Sequence, residues 1–290
     1  MNTINFHPES GSSIWLQNLI HGMSGLTIKA KHSVFCDSSP FQKIEVFDTY
    51  SFGLVLCLGG SIVLTEADGC IYHEMISHPA LFMHKNPQNV CIIGGGDGGC
   101  LKEVLIHETV KTVTIVDIDE MVTETVKRFF PALAEGFNDE RTRVIFEDGY
   151  DYLEKNDQKF DLILVDSYDP NGPVQSLETD DFHRIVSLRL EEDGIAVFQT
   201  DSPTVNSNFI RKTIRGVSPY FEYYKPYLCS MYSFPEGICS FLACTRKESV
   251  LNNFEKGRYE KSANRFHYYN EEIHSGAFLL PQHIRNLLKS

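Results

Sequence analysis

Apolar and polar positions alternate with a period of two in the early part of the chain, beginning near Gln42. Residues 43–48 follow this alternation, and residues 52–58 and 61–65 are rich in residues that favour strands. Gly59 and Gly60 separate the last two segments and are typical of a tight hairpin turn. We therefore predict a small antiparallel sheet in this part, preceded by a short helix over residues 12–18.

Beyond residue 70 the pattern changes to helices that alternate with short apolar strands. Helices are predicted over residues 71–84, 98–107, 120–130 and 179–190. Strands are predicted over residues 90–93, 112–116, 143–146, 160–165 and 194–200, with two later strands over 220–227 and 239–245. This order indicates an α/β fold with a parallel sheet covered by helices on both faces. We therefore predict an N-terminal β-domain over residues 1–70 and an α/β domain over residues 71–290.

A glycine loop between a predicted strand and a predicted helix is the strongest local signal. Gly94, Gly96 and Gly99 satisfy the pattern G-x-G-x-x-G, which lets the backbone turn sharply and approach a ligand closely. About 20 residues further on, Asp117 ends the next strand, where a carboxylate can accept hydrogen bonds from ribose hydroxyls. The loop therefore predicts a nucleoside-binding site, and a glycine-rich turn without a ligand is the alternative.

An acidic residue inside this loop, Asp97, bears on which cofactor it would bind. A carboxylate is a poor neighbour for a pyrophosphate because like charges repel, but it suits a cationic sulfonium or an amine. The loop therefore favours an S-adenosyl compound over NAD. Asp148 and Gly149 follow the next strand, where a carboxylate could accept a hydrogen bond from an adenine amino group.

A second acidic cluster follows the buried strand over residues 160–165. Asp166 lies at the tip of this strand, and Asp169 follows three residues later, directly before Pro170, which disfavours a helix at Asp169. Carboxylates anchor alkylammonium groups, and one of them can accept a proton from an amine as it attacks. The alternative is an acidic turn that only caps a helix.

The charge balance narrows the classes of partner. The 290 residues include 26 Lys and Arg against 39 Asp and Glu, a net charge of −13, which would repel a phosphate backbone and attract a small cation. An acidic balance is also common in soluble proteins that need it only for solubility. No apolar run approaches the ~18 residues of a membrane span, so neither nucleic acid nor membrane is expected as a partner.

The cysteines and histidines predict no metal site. The eight cysteines contain no C-x-x-C pair and mostly lie in apolar runs, so we expect reduced, buried thiols in a cytoplasmic protein. His73 and His78 flank Glu74 much as in the zinc helix H-E-x-x-H, but they are five residues apart and would point in different directions. A metalloprotease is therefore not expected, and no G-x-S-x-G nucleophile elbow is present.

Taken in order, these motifs resemble the polyamine aminopropyltransferases, the family that includes the spermidine synthases. The resemblance runs from about residue 41 to the end of the chain. It is carried by Gln42, residues 72–75, the glycine loop with Asp97, residues 148–149, 166–170 and 172–173, Gln199, and residues 235–237, 268–274 and 277–281.

The resemblance implies a Rossmann-like domain of methyltransferase type behind a small β-domain, assembled as a homodimer or homotetramer. It implies transfer of the aminopropyl group of decarboxylated S-adenosylmethionine, a co-substrate, to putrescine, giving spermidine and methylthioadenosine without a prosthetic group or metal. For the adenosyl part it implies binding by Gln42, Asp117, Asp148, Gly149 and Pro173.

At the reacting end, the resemblance implies that His73 and Asp97 face the amine of the donor. It implies that Asp166 is the base and that Asp169 anchors the acceptor, beneath a loop over residues 169–177 that closes over both substrates. The substrate site would be lined by Tyr72, Gln199 and Phe234.

Four positions depart from the family pattern. Asp117 stands where a glutamate is usual, Phe234 and Phe41 where tyrosines are usual, and Glu178 where a phenylalanine is usual. The Phe234 position normally lines the acceptor site, so the identity of the acceptor amine stays open.

Alternative functions follow from the same residues. An S-adenosylmethionine-dependent methyltransferase would share the Rossmann-like part but would need neither the β-domain nor the acids Asp166 and Asp169. A family member that uses another amine, or a polyamine-binding protein without catalysis, would also fit Phe234. A NAD-dependent dehydrogenase is disfavoured by Asp97.

Overall fold

The computed structural model describes residues 14–20, 24–166 and 175–289. Asp169 and Pro173, which the resemblance places in the site, lie outside these residues, as does most of the loop expected to close over the substrates.

Within the described residues, five strands form an N-terminal antiparallel sheet in the order β1-β2-β3-β4-β5. They are β1 (Ile14–Ile20), β2 (Ser24–Ser38), β3 (Lys43–Thr49), β4 (Leu54–Leu58) and β5 (Ser61–Thr65). Gly59 and Gly60 form the predicted hairpin turn between β4 and β5, with φ angles of 58° and 88° that favour glycine. The predicted antiparallel sheet is therefore confirmed.

The helix predicted over residues 12–18 is wrong in its described part, which belongs to β1. Leu16 pairs with Ile28 of β2, and both side chains are buried in the apolar core of this sheet. The pairing with β2 decides the conformation, because a short apolar segment takes its structure from the surface it packs against.

Seven strands of the described chain form a second, mixed sheet in the order β11-β12-β10-β9-β6-β7-β8. Its strands are β6 (Asn89–Gly94), β7 (Thr112–Asp117), β8 (Thr142–Phe146), β9 (Phe160–Asp166), β10 (Leu190–Gln199), β11 (Tyr223–Ser230) and β12 (Ile238–Thr245). Strands β6 to β10 are parallel, whereas β12 runs antiparallel to both of its neighbours. The α/β fold class is confirmed.

Helices cover both faces of this sheet. They are α1 (Gly69–Met83), α2 (Gly99–Leu105), α3 (Glu120–Phe129), α4 (Pro131–Ala134), α5 (Gly149–Lys155), α6 (Asp180–Leu188), α7 (Ser207–Val217), α8 (Glu248–Leu251), α9 (Lys256–Ser262), α10 (Glu271–Ala277) and α11 (Gln282–Lys289). Short 3-10 turns occupy Glu135–Asn138, Gln175–Glu178 and Ala263–Arg265. None of the described helices is long and apolar enough to cross a membrane.

The strand β6 shows why the central strands of this sheet are apolar on both faces. Val90 and Ile92 enter a core with α1 and α2, whereas Cys91 and Ile93 enter a second core with α5 and α6. Because both faces are buried, neither leaves room for polar residues.

The strand order reverses at β6, which has β7 on one side and β9 on the other. In open α/β sheets, ligands bind at the carboxyl ends of the strands where the order reverses in this way. The N-terminal sheet reaches the same region, since Ile44, Val46 and Leu56 pack against Val122 and Val126 of α3.

Candidate active site

The glycine loop joins β6 to α2 with three left-handed residues. Gly94, Gly95 and Gly98 have φ angles of 81°, 70° and 75°. A Cβ at Gly96 would lie 2.7 Å from Oδ2 of Asp117, so glycine is required for the close approach of the loop to that carboxylate. The sharp turn predicted for these glycines is therefore present in the fold.

The Asp117 carboxylate, at the end of β7, is held by two backbone groups. The N–H of Gly96 donates to Oδ2 (2.9 Å) and the N–H of Asp119 donates to Oδ1 (2.8 Å). Burial raises the pKa of Asp117 to about 6 although both N–H groups oppose the shift. Asp117 is therefore mostly ionised at neutral pH and can accept further hydrogen bonds from its fixed position.

Asp97 of the loop pairs with His73 of α1. The Nε2 atom of His73 lies 3.0 Å from Oδ2 of Asp97, and the N–H of Gly99 donates to Oδ1 (2.8 Å). Burial by itself lowers the pKa of His73 and raises that of Asp97, but the attraction within the pair wins, so the pKa of His73 is raised and that of Asp97 is lowered. The pair thus favours an imidazolium and a carboxylate.

Gly99 is what allows this pair to form. A Cβ at this position would lie 2.1 Å from Cε1 of His73, whose side chain is only 2% exposed. The imidazole therefore occupies the space that a side chain on residue 99 would need.

Asp166 ends β9, next to the glycine loop, and both of its carboxylate oxygens accept a hydrogen bond. The hydroxyl of Tyr72 donates to Oδ1 (2.5 Å) and the thiol of Cys100 donates to Oδ2 (2.9 Å). Burial, and next the nearby Asp97 carboxylate, raise the pKa of Asp166, and the two donors limit that rise. Asp166 is therefore a stronger proton acceptor than an exposed aspartate.

Aromatic rings form one wall beside Asp166. The ring of Tyr72 lies 6.5 Å from that of Phe234 and 5.4 Å from that of Phe241, measured between centroids. The segment with Phe234 is fixed by Asp68, which precedes α1 and accepts the N–H of Ser233 (2.8 Å). Helix α1 and its cap Asp68 therefore position both the aromatic wall and the Asp166 carboxylate.

Gln199 ends β10 and is buried, with 8% of its surface exposed. Its Oε1 atom has no hydrogen-bond partner among the described residues. A buried acceptor of this kind costs stability unless something donates to it, so the oxygen is suited to a donor from a bound ligand.

The N-terminal sheet reaches the site through Asp119. Its Oδ2 accepts hydrogen bonds from the hydroxyl of Ser39 (2.6 Å) and from Nε2 of Gln42 (3.1 Å). Asp119, which the sequence analysis did not single out, thus holds Gln42 beside the end of β7. The sequence signal that could have identified Asp119 is its place two residues after Asp117, just beyond the end of the same strand.

Asp148 and Gly149 lie at the start of α5. Asp148 caps this helix by accepting the N–H groups of Tyr150 and Asp151 at Oδ1, and its Oδ2 accepts the hydroxyl of Ser176 (2.8 Å). A Cβ at Gly149 would lie 2.4 Å from Cγ2 of Ile93. Both residues therefore have a structural role at the place predicted for the adenine.

The histidines of α1 and the glutamate between them contact other parts of the fold. Glu74 accepts backbone N–H groups of three consecutive residues, His267, Tyr268 and Tyr269, and His78 lies 3.1 Å from both Glu103 and His107. Across residues 14–20, 24–166 and 175–289, no group of three or more His, Cys, Asp or Glu side chains is arranged to hold a metal ion.

Family models and curated relatives match this chain over most of its length. Residues 69–255 match the family model of the spermine/spermidine synthase domain, and residues 14–66 match that of the spermidine synthase tetramerisation domain. The polyamine aminopropyltransferase of Bacillus mycoides is 37% identical over 270 residues, covering 91% of this chain and 95% of the relative. That of Methanocaldococcus jannaschii is 37% identical over 280 residues, covering 95% of each chain.

Solved structures give the same result. The crystal structure of spermidine synthase from Thermotoga maritima superposes with a TM-score of 0.91 at 30% identity, covering 98% of this chain and 97% of the other. A spermidine synthase in complex with the transition-state analogue AdoDATO superposes with a TM-score of 0.92 at 30% identity and the same coverage.

Proposed function

The chain belongs to the spermine/spermidine synthase family of transferases, and from that premise we propose that it makes spermidine. In this reaction the aminopropyl group of decarboxylated S-adenosylmethionine moves to putrescine, with methylthioadenosine as the second product. The observation that carries the proposal is the Asp166 carboxylate, held by Tyr72 and Cys100 at the carboxyl end of β9 beside the glycine loop.

Asp166 is the proposed base. An alkylamine with a pKa of ~10 is mostly protonated at neutral pH, and only its neutral form attacks, so a positioned proton acceptor accelerates the reaction. The amine nitrogen forms a bond to the aminopropyl carbon, the bond from that carbon to sulfur breaks, and the proton passes from the nitrogen to Asp166. The sulfonium leaves as a neutral thioether, which needs no metal.

The donor is proposed to lie across the glycine loop. Its ribose hydroxyls would donate to Asp117, whose two oxygens keep free lone pairs beside the backbone N–H groups they accept. Its amine would face Asp97, a carboxylate kept ionised by His73. Further contacts to the adenosyl part are proposed for Gln42, Asp148, Gly149 and Pro173.

The acceptor is proposed to lie along the aromatic wall. Putrescine has two ammonium groups joined by four methylenes, and the rings of Tyr72 and Phe234 offer an apolar surface for that chain. One nitrogen would face Asp166, and the other would be held by Asp169 and by the free Oε1 of Gln199.

We further propose that residues 1–70 form a separate N-terminal domain, that residues 71–290 form the catalytic domain, and that the protein is a cytoplasmic homodimer or homotetramer. The match of residues 14–66 to a tetramerisation domain supports an oligomer. Six of the eight cysteines are buried as free thiols, which fits a reducing compartment.

A product assay tests the function. Purified protein is incubated with decarboxylated or ordinary S-adenosylmethionine and with putrescine, cadaverine, 1,3-diaminopropane or spermidine, and products are identified by mass spectrometry. The proposal expects equimolar spermidine and methylthioadenosine from the decarboxylated donor and putrescine.

Other products would replace the proposal in defined ways. Methylthioadenosine formed only with another amine would keep the chemistry but change the acceptor. A methylated product from ordinary S-adenosylmethionine would indicate a methyltransferase, and amine binding without any product would indicate a binding protein.

A further inference from the structure

Cys100 occupies a position that neither the sequence motifs nor the family comparison marks as functional. It is the second residue of α2, immediately after the glycine loop, and its side chain is fully buried. Its Sγ lies 2.9 Å from Oδ2 of Asp166, on the side of the carboxylate opposite the Tyr72 hydroxyl at Oδ1. The acid is therefore held between two donors that come from two different helices.

We propose that Cys100 is a positioning residue for Asp166, and that its thiol fixes the carboxylate by donating a hydrogen bond to Oδ2. The inference rests on the proposed function, because it matters for catalysis only if Asp166 is the base. With Tyr72 as its single donor, the carboxylate could still change its orientation. Two donors, one on each oxygen, fix the plane of the carboxylate and so the direction in which its remaining lone pairs meet the amine. Such fixed orientation lowers the barrier by reducing the freedom that must be lost on reaction.

The thiol is suited to donate and not to react. Burial, followed by the nearby carboxylates of Asp166 and Asp97, raises the pKa of Cys100 well above that of an ordinary thiol. It therefore keeps its proton at neutral pH, and a protonated thiol is a poor nucleophile.

The same hydrogen bond affects the charge state of Asp166. The negative groups that face it, Asp97 and Asp117, favour the protonated acid, whereas Tyr72, Cys100 and His73 favour the carboxylate. Loss of one donor shifts that balance toward the protonated, inactive form. Replacing Cys100 by an apolar residue should therefore weaken the enzyme most at the acidic end of its pH range.

The test compares Cys100→Ala, which removes the donor, with Cys100→Ser, which keeps one. Cys244→Ala is the matched control, because Cys244 is equally buried but lies in the core on the opposite face of the sheet. For each variant, kcat and KM are measured with decarboxylated S-adenosylmethionine and putrescine across the acidic and neutral pH range.

For Cys100→Ala we expect the acidic limb of the kcat profile to move to higher pH by about one pH unit, and kcat below that limb to fall roughly tenfold, with KM nearly unchanged. Cys100→Ser should restore most of the wild-type profile, and Cys244→Ala should keep it. A Cys100→Ala profile that coincides with wild type would overturn the inference, as would a Cys100→Ser profile that follows Cys100→Ala.

A stability measurement gives a second readout that needs no turnover. The donor stabilises the ionised acid more than the protonated one, so the Tm difference between Cys100→Ser and Cys100→Ala should be largest at neutral pH and shrink as the pH falls through the pKa of Asp166. A difference independent of pH would reduce Cys100 to a packing residue and overturn the inference. Failure of the proposed function looks different, since the wild-type protein itself would then transfer no aminopropyl group.

Discussion

The substitution Asp166→Asn separates chemistry from folding at this site. It keeps the shape of the side chain and an oxygen that accepts the Tyr72 hydroxyl, but it removes the proposed proton acceptor. Loss of a general base typically lowers the rate by ~10²–10⁴-fold, which corresponds to about 3–5 kcal/mol of activation free energy. We expect a fall of that size in kcat with little change in donor affinity, because the proposed adenosyl contacts lie on other residues.

The expected effect on stability has the opposite sign. Burial and the charge of Asp97 raise the pKa of Asp166 above its value in the unfolded chain. A raised folded-state pKa means that the contribution to stability is full when the acid is protonated and is lost as the pH rises through that pKa. Asp166 therefore costs stability at neutral pH, and Asp166→Asn should leave Tm unchanged or raise it.

Asp161→Asn provides the matched control at the other end of the same strand. The Oδ2 atom of Asp161 accepts the N–H groups of Gln88 and Asn89, both at 2.8 Å, at the start of β6 and therefore at the end of that strand opposite the glycine loop. This variant should lower Tm slightly and keep kcat. Steady-state kinetics and thermal unfolding of both variants decide the matter: near-wild-type kcat in Asp166→Asn, combined with a lower Tm, would show that Asp166 is a structural residue of the turn.

Three further predictions concern the donor, the loop and the acceptor. Ordinary S-adenosylmethionine carries a carboxylate that the decarboxylated donor lacks, and two like charges ~4 Å apart repel by about 4 kcal/mol at an effective dielectric constant of ~20. Repulsion by Asp97 should therefore make kcat/KM for the decarboxylated donor higher by on the order of a hundredfold or more. Equal values for the two donors would contradict this. Gly99→Ala places a Cβ against the buried His73 ring and should cost about 1–3 kcal/mol of stability as well as kcat/KM, and calorimetry showing a wild-type Tm would refute the close contact. Phe234→Tyr adds a hydroxyl that can hydrogen-bond the amine or a neighbouring water, so kcat/KM for putrescine should rise by roughly tenfold or less; abolished turnover of the best acceptor would mean that the pocket is shaped for a different amine.

The parts of the fold that the sequence predicts are those in which local pattern and final packing agree. The central strands β6 and β9 of the second sheet are apolar on both faces, and helices alternate with the strands. The strand β2 escaped prediction for a physical reason: its pairing with β3 shifts register between Ala30 and His32 and again between Ser33 and Phe35. Each shift moves the side-chain alternation out of phase, so no continuous period of two remains to be recognised.

The candidate site divides in the same way. Asp97, Asp117 and Asp166 could be predicted because each lies beside a glycine turn or at a strand end, where position alone gives a side chain access to a ligand. Cys100 could not, because a cysteine directly after the glycine loop has nothing in its sequence context that distinguishes it from a core thiol. Its hydrogen bond joins residues 66 apart in sequence, and such a contact becomes visible only when β9 and α2 are placed side by side.

The three backbone N–H groups that donate to Glu74 link the folding of α1 to that of a distant segment. Glu74 is fully buried and follows His73 directly, and its partners are residues 267–269 near the end of the chain. Until those residues are present, the carboxylate would be buried without donors, at a cost of several kcal/mol. The helix that carries Tyr72 and His73 therefore depends on a segment 193 residues further along the chain, so the two must fold together before the acid is fully paired.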